Sequence, residues 1–285
     1  MKIAFLGTGL MGGLMAQRLL DKNYNVVVWN RTKSKTEKLK KHGALVAETP
    51  AEAITESELI ITMLSDFNAV ASVLFPENIS YKNKTVIQMS TIAPGESILL
   101  KERVEHLEGE YLESPVLGGI THIPIGKLLP LVGASELQFK QWKSFIENFG
   151  DKAYHVGEVG KGASVKIAFN QLIASLIASF SMSLGYIRDV DIDPNLFMEI
   201  LRQSNYYALA FDKKLDSMIE RDFANTNFPL KHLYKDVNLA MNEFVNYGIN
   251  VSALDGVVEL LKEGIRNKLS DQDYAVIYNI TNPKK

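Results

Sequence analysis

The residues best suited to chemistry come at the start of the chain. Gly7-Thr8-Gly9-Leu10-Met11-Gly12 spells G-x-G-x-x-G between an apolar run at 2–7 and a segment at 10–22 with helical apolar spacing. A dinucleotide-phosphate cradle needs that context. Gly7 allows a tight turn, Gly9 lets the backbone approach a pyrophosphate, and Gly12 lets helix and strand pack closely. The helix start, with Thr8, Leu10 and Met11, offers unpaired N–H groups and a partial positive charge to phosphates. A plain glycine turn is the competing reading. The next apolar run, 25–29, ends at Asn30-Arg31-Thr32, followed by Lys33 and Lys35. An NAD-selective site places a carboxylate here to accept from the ribose hydroxyls, and that carboxylate would repel a 2′-phosphate. Neutral Asn30 beside Arg31 suits NADP(H) over NAD(H). The charge-assisted contact is worth about 1.5–3 kcal/mol, roughly ten- to a hundredfold in preference. The alternative is a solvated, basic helix start.

These groups need a scaffold, and the hydrophobic pattern supplies one. Apolar runs at 2–7, 25–29, 59–64 and 85–89 read as strands, and the segments at 10–22 and 34–42 read as helices. Strand–helix alternation implies a parallel sheet with helices on both faces, an α/β class. From about residue 162 the strand signals stop. Helical patterns take over to 184 and again at 198–201, 211–219, 233–247 and 257–265. The division expected is an N-terminal α/β domain, 1–162, and an all-helical domain, 163–285, joined by the helix that begins near Ala163. The Pro-Lys-Lys end is expected to fray.

Bulk properties narrow the function classes. The 285 residues exceed one ordinary core, and 46% hydrophobic with 22% charged residues is a globular balance. A net charge of -2 argues against a global attraction to nucleic acid or to an anionic membrane. No cysteine is present, which excludes disulfides, thiolate metal sites and cysteine nucleophiles. His42, His106, His122, His155 and His232 are widely separated, so no metal site is expected. The start of the chain reads as a buried strand running into a turn, not as a secretory signal. The long apolar stretch 165–186 contains Asn170, Gln171 and several serines, and it reads as a buried helix, not a membrane span. A reducing cytoplasm fits.

Taken together, the ordered segments MKIAFLGTGLMGG, VVVWNRTKSK, QMSTIAP (88–94), SPVLGG (114–119), GEVGKGASVKIAFN (157–170) and KDVNLA (235–240) resemble the β-hydroxyacid dehydrogenase family. The resemblance is strongest to the glyoxylate and succinic semialdehyde reductase subgroup, and it spans nearly the whole chain. It implies an N-terminal Rossmann domain with a doubly wound parallel sheet, a C-terminal all-helical domain for substrate and dimerisation, and a long helix joining them. It also implies a homodimer or homotetramer acting on a small carbonyl or hydroxy-acid substrate.

The resemblance assigns roles residue by residue. Lys166 matches the catalytic lysine, the general acid/base, and Asn170 follows one helical turn later on the same face. Met63 and Leu64 match a loop along the cofactor, and Thr91 matches a threonine near the nicotinamide. Lys235 matches a second lysine that approaches cofactor or substrate, with Asp236 beside it to orient it. The substrate loop of the family usually reads D-A-P-V-S-G-G, and here it is Glu113-Ser114-Pro115-Val116-Leu117-Gly118-Gly119. Leu117 replaces the serine that would help to hold a carboxylate, which leaves the N–H groups of Gly118 and Gly119 as the expected anion pocket. The expected activity is NADPH-dependent reduction of an aldehyde or semialdehyde, or the reverse oxidation of a 3-hydroxy acid. An imine reductase with the same architecture and a non-catalytic NADPH-binding module are the alternatives.

Overall fold

The computed structural model describes residues 1–284; Lys285, the last residue of the end expected to fray, lies outside them. The chain forms two compact units, Met1–Lys166 and Ile167–Lys285.

In the first unit, strands and helices alternate as β1 (Lys2–Leu6), α1 (Leu10–Asp21), β2 (Asn25–Trp29), α2 (Glu37–Lys41), β3 (Leu45–Val46), α3 (Pro50–Thr55), β4 (Leu59–Thr62), α4 (Phe67–Leu74), β5 (Thr85–Gln88), α5 (Pro94–His106) and β6 (Glu110–Glu113). They are followed by β7 (Val116–Leu117), β8 (Leu129–Gly133), α6 (Glu136–Ile146) and β9 (Tyr154–Gly157). The sheet order is β3-β2-β1-β4-β5-β6-β8-β7, with β9 beside β8. Strands β1 to β6 run parallel, and β8 runs antiparallel to β6 and β7. This is the Rossmann arrangement, whose strand order reverses between β1 and β4 and opens a crevice at their carboxyl ends.

Alternation along β1 explains why this run can only be a central strand. Ile3 and Phe5 point into one core with Met15, Leu19, Val26 and Val28, while Ala4 and Leu6 point into another with Val27, Ile60, Val70 and Leu100. A strand buried on both faces needs apolar residues at every position, hence the unbroken Ile-Ala-Phe-Leu. The basic segment after β2 begins as a 3₁₀ turn, Lys33–Thr36, before α2, so the single helix expected at 34–42 is two shorter pieces.

A 29-residue helix, α7 (Lys161–Asp189), begins in the first unit and continues into the second. The second unit adds α8 (Pro194–Gln203), α9 (Leu209–Glu220), α10 (Leu230–Asn246), α11 (Ser252–Arg266) and α12 (Ile277–Thr281). Its core gathers Ile177, Phe180 and Leu184 of α7 with Phe211, Leu215, Leu233, Val237, Leu261 and Tyr278. Phe180 and Phe211 stack with ring centroids 4.6 Å apart. By length and composition α7 could cross a membrane, with hydropathy 1.5 over its most apolar window and 44% of that window buried in the fold. The helix is therefore buried on one side. Phe169, Leu172, Leu176, Met182 and Tyr186 are exposed, which the reading of a simply buried helix did not anticipate.

Candidate active site

The glycine loop has the geometry that its letters predict. Gly7 sits at φ +103°, and a Cβ there would lie 2.3 Å from the Met63 carbonyl oxygen. Only glycine fits both the conformation and the space. At Gly12 a Cβ would lie 2.0 Å from the Gly7 carbonyl oxygen, so this glycine sets the close approach of α1 to the turn. Gly9 differs: no atom lies within 4 Å of the Cβ position. Gly9 is also the N-cap of α1, and it brings no side-chain cap to the first-turn N–H groups. An open approach over Gly9 to an uncapped helix start fits a dinucleotide pyrophosphate.

Asn30 ties this loop to the end of β2. Its Oδ1 accepts the Thr8 N–H at 3.0 Å, and its Nδ2 donates to the Thr32 carbonyl at 3.0 Å. The Thr8 hydroxyl donates to the Lys35 carbonyl at 3.2 Å. Asn30 therefore fastens the phosphate loop to the turn that carries Arg31. Arg31, Thr32 and Lys35 are exposed, whereas Lys33 is ion-paired with Glu48 at 2.6 Å.

The ends of β4 and β5 meet the same loop. The Met63 N–H donates to the Leu6 carbonyl at 3.0 Å, and the Leu64 N–H donates to Ser90 Oγ at 2.8 Å. Ser90 is buried and Thr91 half-buried. Gly7, Thr8, Asn30, Met63 and Leu64 are thus brought together at the carboxyl ends of the parallel strands. Ser90 had no role assigned from sequence. A small hydroxyl residue two positions after a buried strand is the signal that could have found it.

The 117–119 loop departs from expectation. Leu117 is half-buried, and Gly118 is exposed at φ +116°. The Gly119 N–H, expected to be open to an anion, donates instead to His122 Nδ1 at 3.1 Å. A short 3₁₀ turn, Ile120–His122, brings that ring back onto the loop. His122 carried no site role in the sequence, because the contact depends on the path of the chain and not on spacing.

Glu113, at the end of β6, is fully buried. Its Oε1 accepts the N–H groups of Gly160 at 2.8 Å and Ala163 at 3.1 Å. The carboxylate thereby caps the start of α7, whose first residue, Lys161, lies five positions before Lys166. Burial pushes the Glu113 carboxyl above its ordinary value, offset in part by Ser97 and by the N–H groups of Ala163, Gly160 and Gly162. Cβ atoms at Gly133 and Gly162 would lie 2.4 and 3.0 Å from Glu113 Oε1, so both glycines leave room for this carboxylate. Lys166 is half-buried, with Ala163 and Ile167 buried on either side of it along the helix.

In the second unit, Asn170, Lys235 and Asp236 form one cluster. Asn170 Nδ2 donates to Asp236 Oδ2 at 2.6 Å, and Lys235 Nζ pairs with Asp236 Oδ1 at 2.6 Å. Asn170 and Asp236 are 5% and 2% exposed, so α7 and α10 share a buried polar junction. An ionised carboxylate only accepts, which turns the Asn170 amide N–H toward Asp236 and leaves its Oδ1 as an acceptor. Asp236, considered only as a neighbour of Lys235, in fact holds both residues. No group of His, Asp and Glu that could hold a metal ion occurs among the described residues.

Comparison with known proteins agrees with this geometry. Residues 2–157 match the model of the NAD binding domain of 6-phosphogluconate dehydrogenase, and residues 160–281 match that of the NAD-binding domain of NADP-dependent 3-hydroxyisobutyrate dehydrogenase. The chain is 32% identical over 281 residues to the chloroplastic glyoxylate/succinic semialdehyde reductase 2 of Arabidopsis thaliana, covering 96% of this chain and 78% of that one. It is 31% identical over 282 residues to glyoxylate/succinic semialdehyde reductase 1 of the same plant, covering 97% of each. Its fold is similar to that of Mycobacterium tuberculosis 3-hydroxyisobutyrate dehydrogenase solved with L-serine, with a TM-score of 0.86 over 98% of each chain at 20% identity. The chain belongs to the β-hydroxyacid dehydrogenase family and is an NAD(P)-binding oxidoreductase with a small-molecule substrate.

Proposed function

We propose that the protein is an NADPH-preferring reductase of small aldehydes or semialdehydes, equally a 3-hydroxy acid dehydrogenase in reverse, with Lys166 as its general acid/base. The observation that carries the cofactor choice is the end of β2. Neutral Asn30 is committed to the glycine loop, and exposed Arg31 follows it with no carboxylate to repel a 2′-phosphate. Residues 7–12, 30–32, 63–64, Thr91 and Lys235 form the cofactor set in this reading, and residues 117–119, Lys166, Asn170 and Lys235 the substrate set. The bound nicotinamide supplies hydride to the carbonyl carbon. As that bond forms, Lys166 Nζ gives a proton to the carbonyl oxygen, and the neutral amine regains one from water. In the oxidative direction the same amine accepts the hydroxyl proton. Capping of α7 by Glu113 holds the backbone that carries Lys166, and Asp236 holds Asn170 and Lys235 in one orientation. The first unit serves the cofactor, and the helical unit serves substrate and self-association as a homodimer or homotetramer in the cytoplasm. The exposed apolar residues of α7 support the self-association.

Lys166→Ala tests the assignment. General acid–base help is worth about 10²–10⁴-fold, so kcat with a carbonyl substrate falls by that factor while NADPH titrates the variant as it does the parent. Undiminished turnover would remove Lys166 from the mechanism.

A further inference from the structure

We propose that His122 is a specificity-determining residue that closes the 117–119 loop to carboxylates and directs the enzyme to uncharged carbonyl compounds. This inference rests on the reductase reading above and narrows its substrate class. A glycine loop holds a carboxylate by presenting N–H groups that no other acceptor has claimed. In this loop the Gly119 N–H is already given to His122 Nδ1 at 3.1 Å, and the His122 N–H returns to the Gly119 carbonyl at 3.0 Å. The ring also lies against Gly118, whose Cβ position is 3.6 Å from both Cβ and Cγ of His122. The Thr121 hydroxyl is 3.5 Å from the same nitrogen, too far to replace the Gly119 bond.

A ring nitrogen that takes up an N–H does so with its lone pair, so Nδ1 faces the loop as an acceptor. Leu117 adds an aliphatic side chain where a hydroxyl would help an anion. The loop thus presents an apolar group, a claimed N–H and a ring acceptor. A carboxylate settling here must break the Gly119–His122 bond or forgo that donor, and an uncharged carbonyl compound faces neither cost.

Two variants separate these outcomes. His122→Ala releases the Gly119 N–H, whereas His122→Asn keeps an acceptor oxygen near the position of Nδ1. Succinate, a redox-inert dicarboxylate, is titrated calorimetrically into each NADP⁺-loaded protein. The expected result is roughly tenfold tighter succinate binding by His122→Ala than by the parent, about one hydrogen bond to a charged group, with His122→Asn close to the parent. In parallel, the ratio of kcat/KM for glyoxylate to that for acetaldehyde rises about tenfold in His122→Ala. Succinate binding that is equal in parent and His122→Ala, weaker in His122→Ala, or absent from both overturns the assignment. If no protein oxidises NADPH with either carbonyl compound, the reductase reading fails and the succinate result still decides the role of His122. A ¹⁵N spectrum of the parent imidazole is independent of variant folding: an unprotonated Nδ1 supports the proposal, and a protonated one overturns it.

Discussion

Two glycine loops in the first unit share a left-handed glycine, Gly7 at φ +103° and Gly118 at φ +116°, and then diverge. In the loop after β1, the space over Gly9 is open and the start of α1 has no side-chain cap. In the loop after β7, a Cβ on Gly118 would meet the Leu128 side chain at 2.8 Å, and the N–H of Gly119 belongs to His122. Glycine supplies a turn in both places. In the first loop the N–H groups of Gly7 and Thr8 go to the Trp29 carbonyl and to Asn30 Oδ1, and the approach to the start of α1 over Gly9 stays open. A glycine pair therefore specifies a path of the chain, and an anion site exists only where the N–H groups stay unclaimed.

The largest effect is expected at Gly7. In Gly7→Ala the new Cβ faces the Met63 carbonyl and the residue is forced to a positive φ, a strain on the order of 1–3 kcal/mol before the clash is counted. Thermal unfolding should occur well below the parent temperature, and NADPH titration should weaken at least tenfold. An unchanged melting point and affinity would mean that the turn is not needed as described. Arg31→Ala sharpens what the open loop receives. The preference for NADPH over NADH, read as the ratio of kcat/KM values, should drop by about ten- to a hundredfold with NADH use little altered. An equal loss with both cofactors would move Arg31 away from the 2′-phosphate.

The smallest effect concerns the strand that leads into the second loop. Burial raises the carboxyl of Glu113 above its ordinary value of 4.5. A group whose pKa is raised by folding contributes most at low pH, and that contribution is lost as pH climbs from the unfolded value through the folded one. Glu113→Gln cannot ionise and keeps an oxygen to accept the N–H groups of Gly160 and Ala163. The difference in unfolding free energy between variant and parent should shift in favour of the variant over that window, with a slope of at most ~1.4 kcal/mol per pH unit, and flatten above it. Urea unfolding of both chains at a series of pH values measures it. A constant difference, or one of opposite sign, contradicts the assignment of Glu113.

What could be read from the sequence follows the same division. Strands β1, β2 and β4 carry apolar runs of three or more residues because both faces of the central sheet are covered, β5 carries the pair Val86-Ile87, and the glycine motif is contiguous. Strand β6 reads Glu-Tyr-Leu-Glu and β8 reads Leu-Pro-Leu-Val-Gly, so neither announces a buried strand. The reasons are tertiary: Glu113 is buried to cap α7, and Gly133 is small because it faces that carboxylate. In helix α5 the charged residues blur the apolar period, and only Pro94 and Glu96 mark its start. In the site, Gly7, Gly9, Gly12, Asn30 and Arg31 carry a meaning set by neighbours along the chain. Glu113 acts on residues 47 and 50 positions away, and Asp236 on one 66 positions away. No local pattern encodes such pairs.

The proposed reaction is hydride transfer from NADPH to a carbonyl carbon. The most direct measurement is NADPH oxidation by the purified protein against glyoxylate, succinic semialdehyde, an uncharged aldehyde and a cyclic imine, with NADH in parallel. Turnover of carbonyl compounds is expected, faster with NADPH than with NADH, and strongest with the uncharged aldehyde. Tight NADPH binding without oxidation by any carbonyl compound, or turnover of the imine alone, would contradict it.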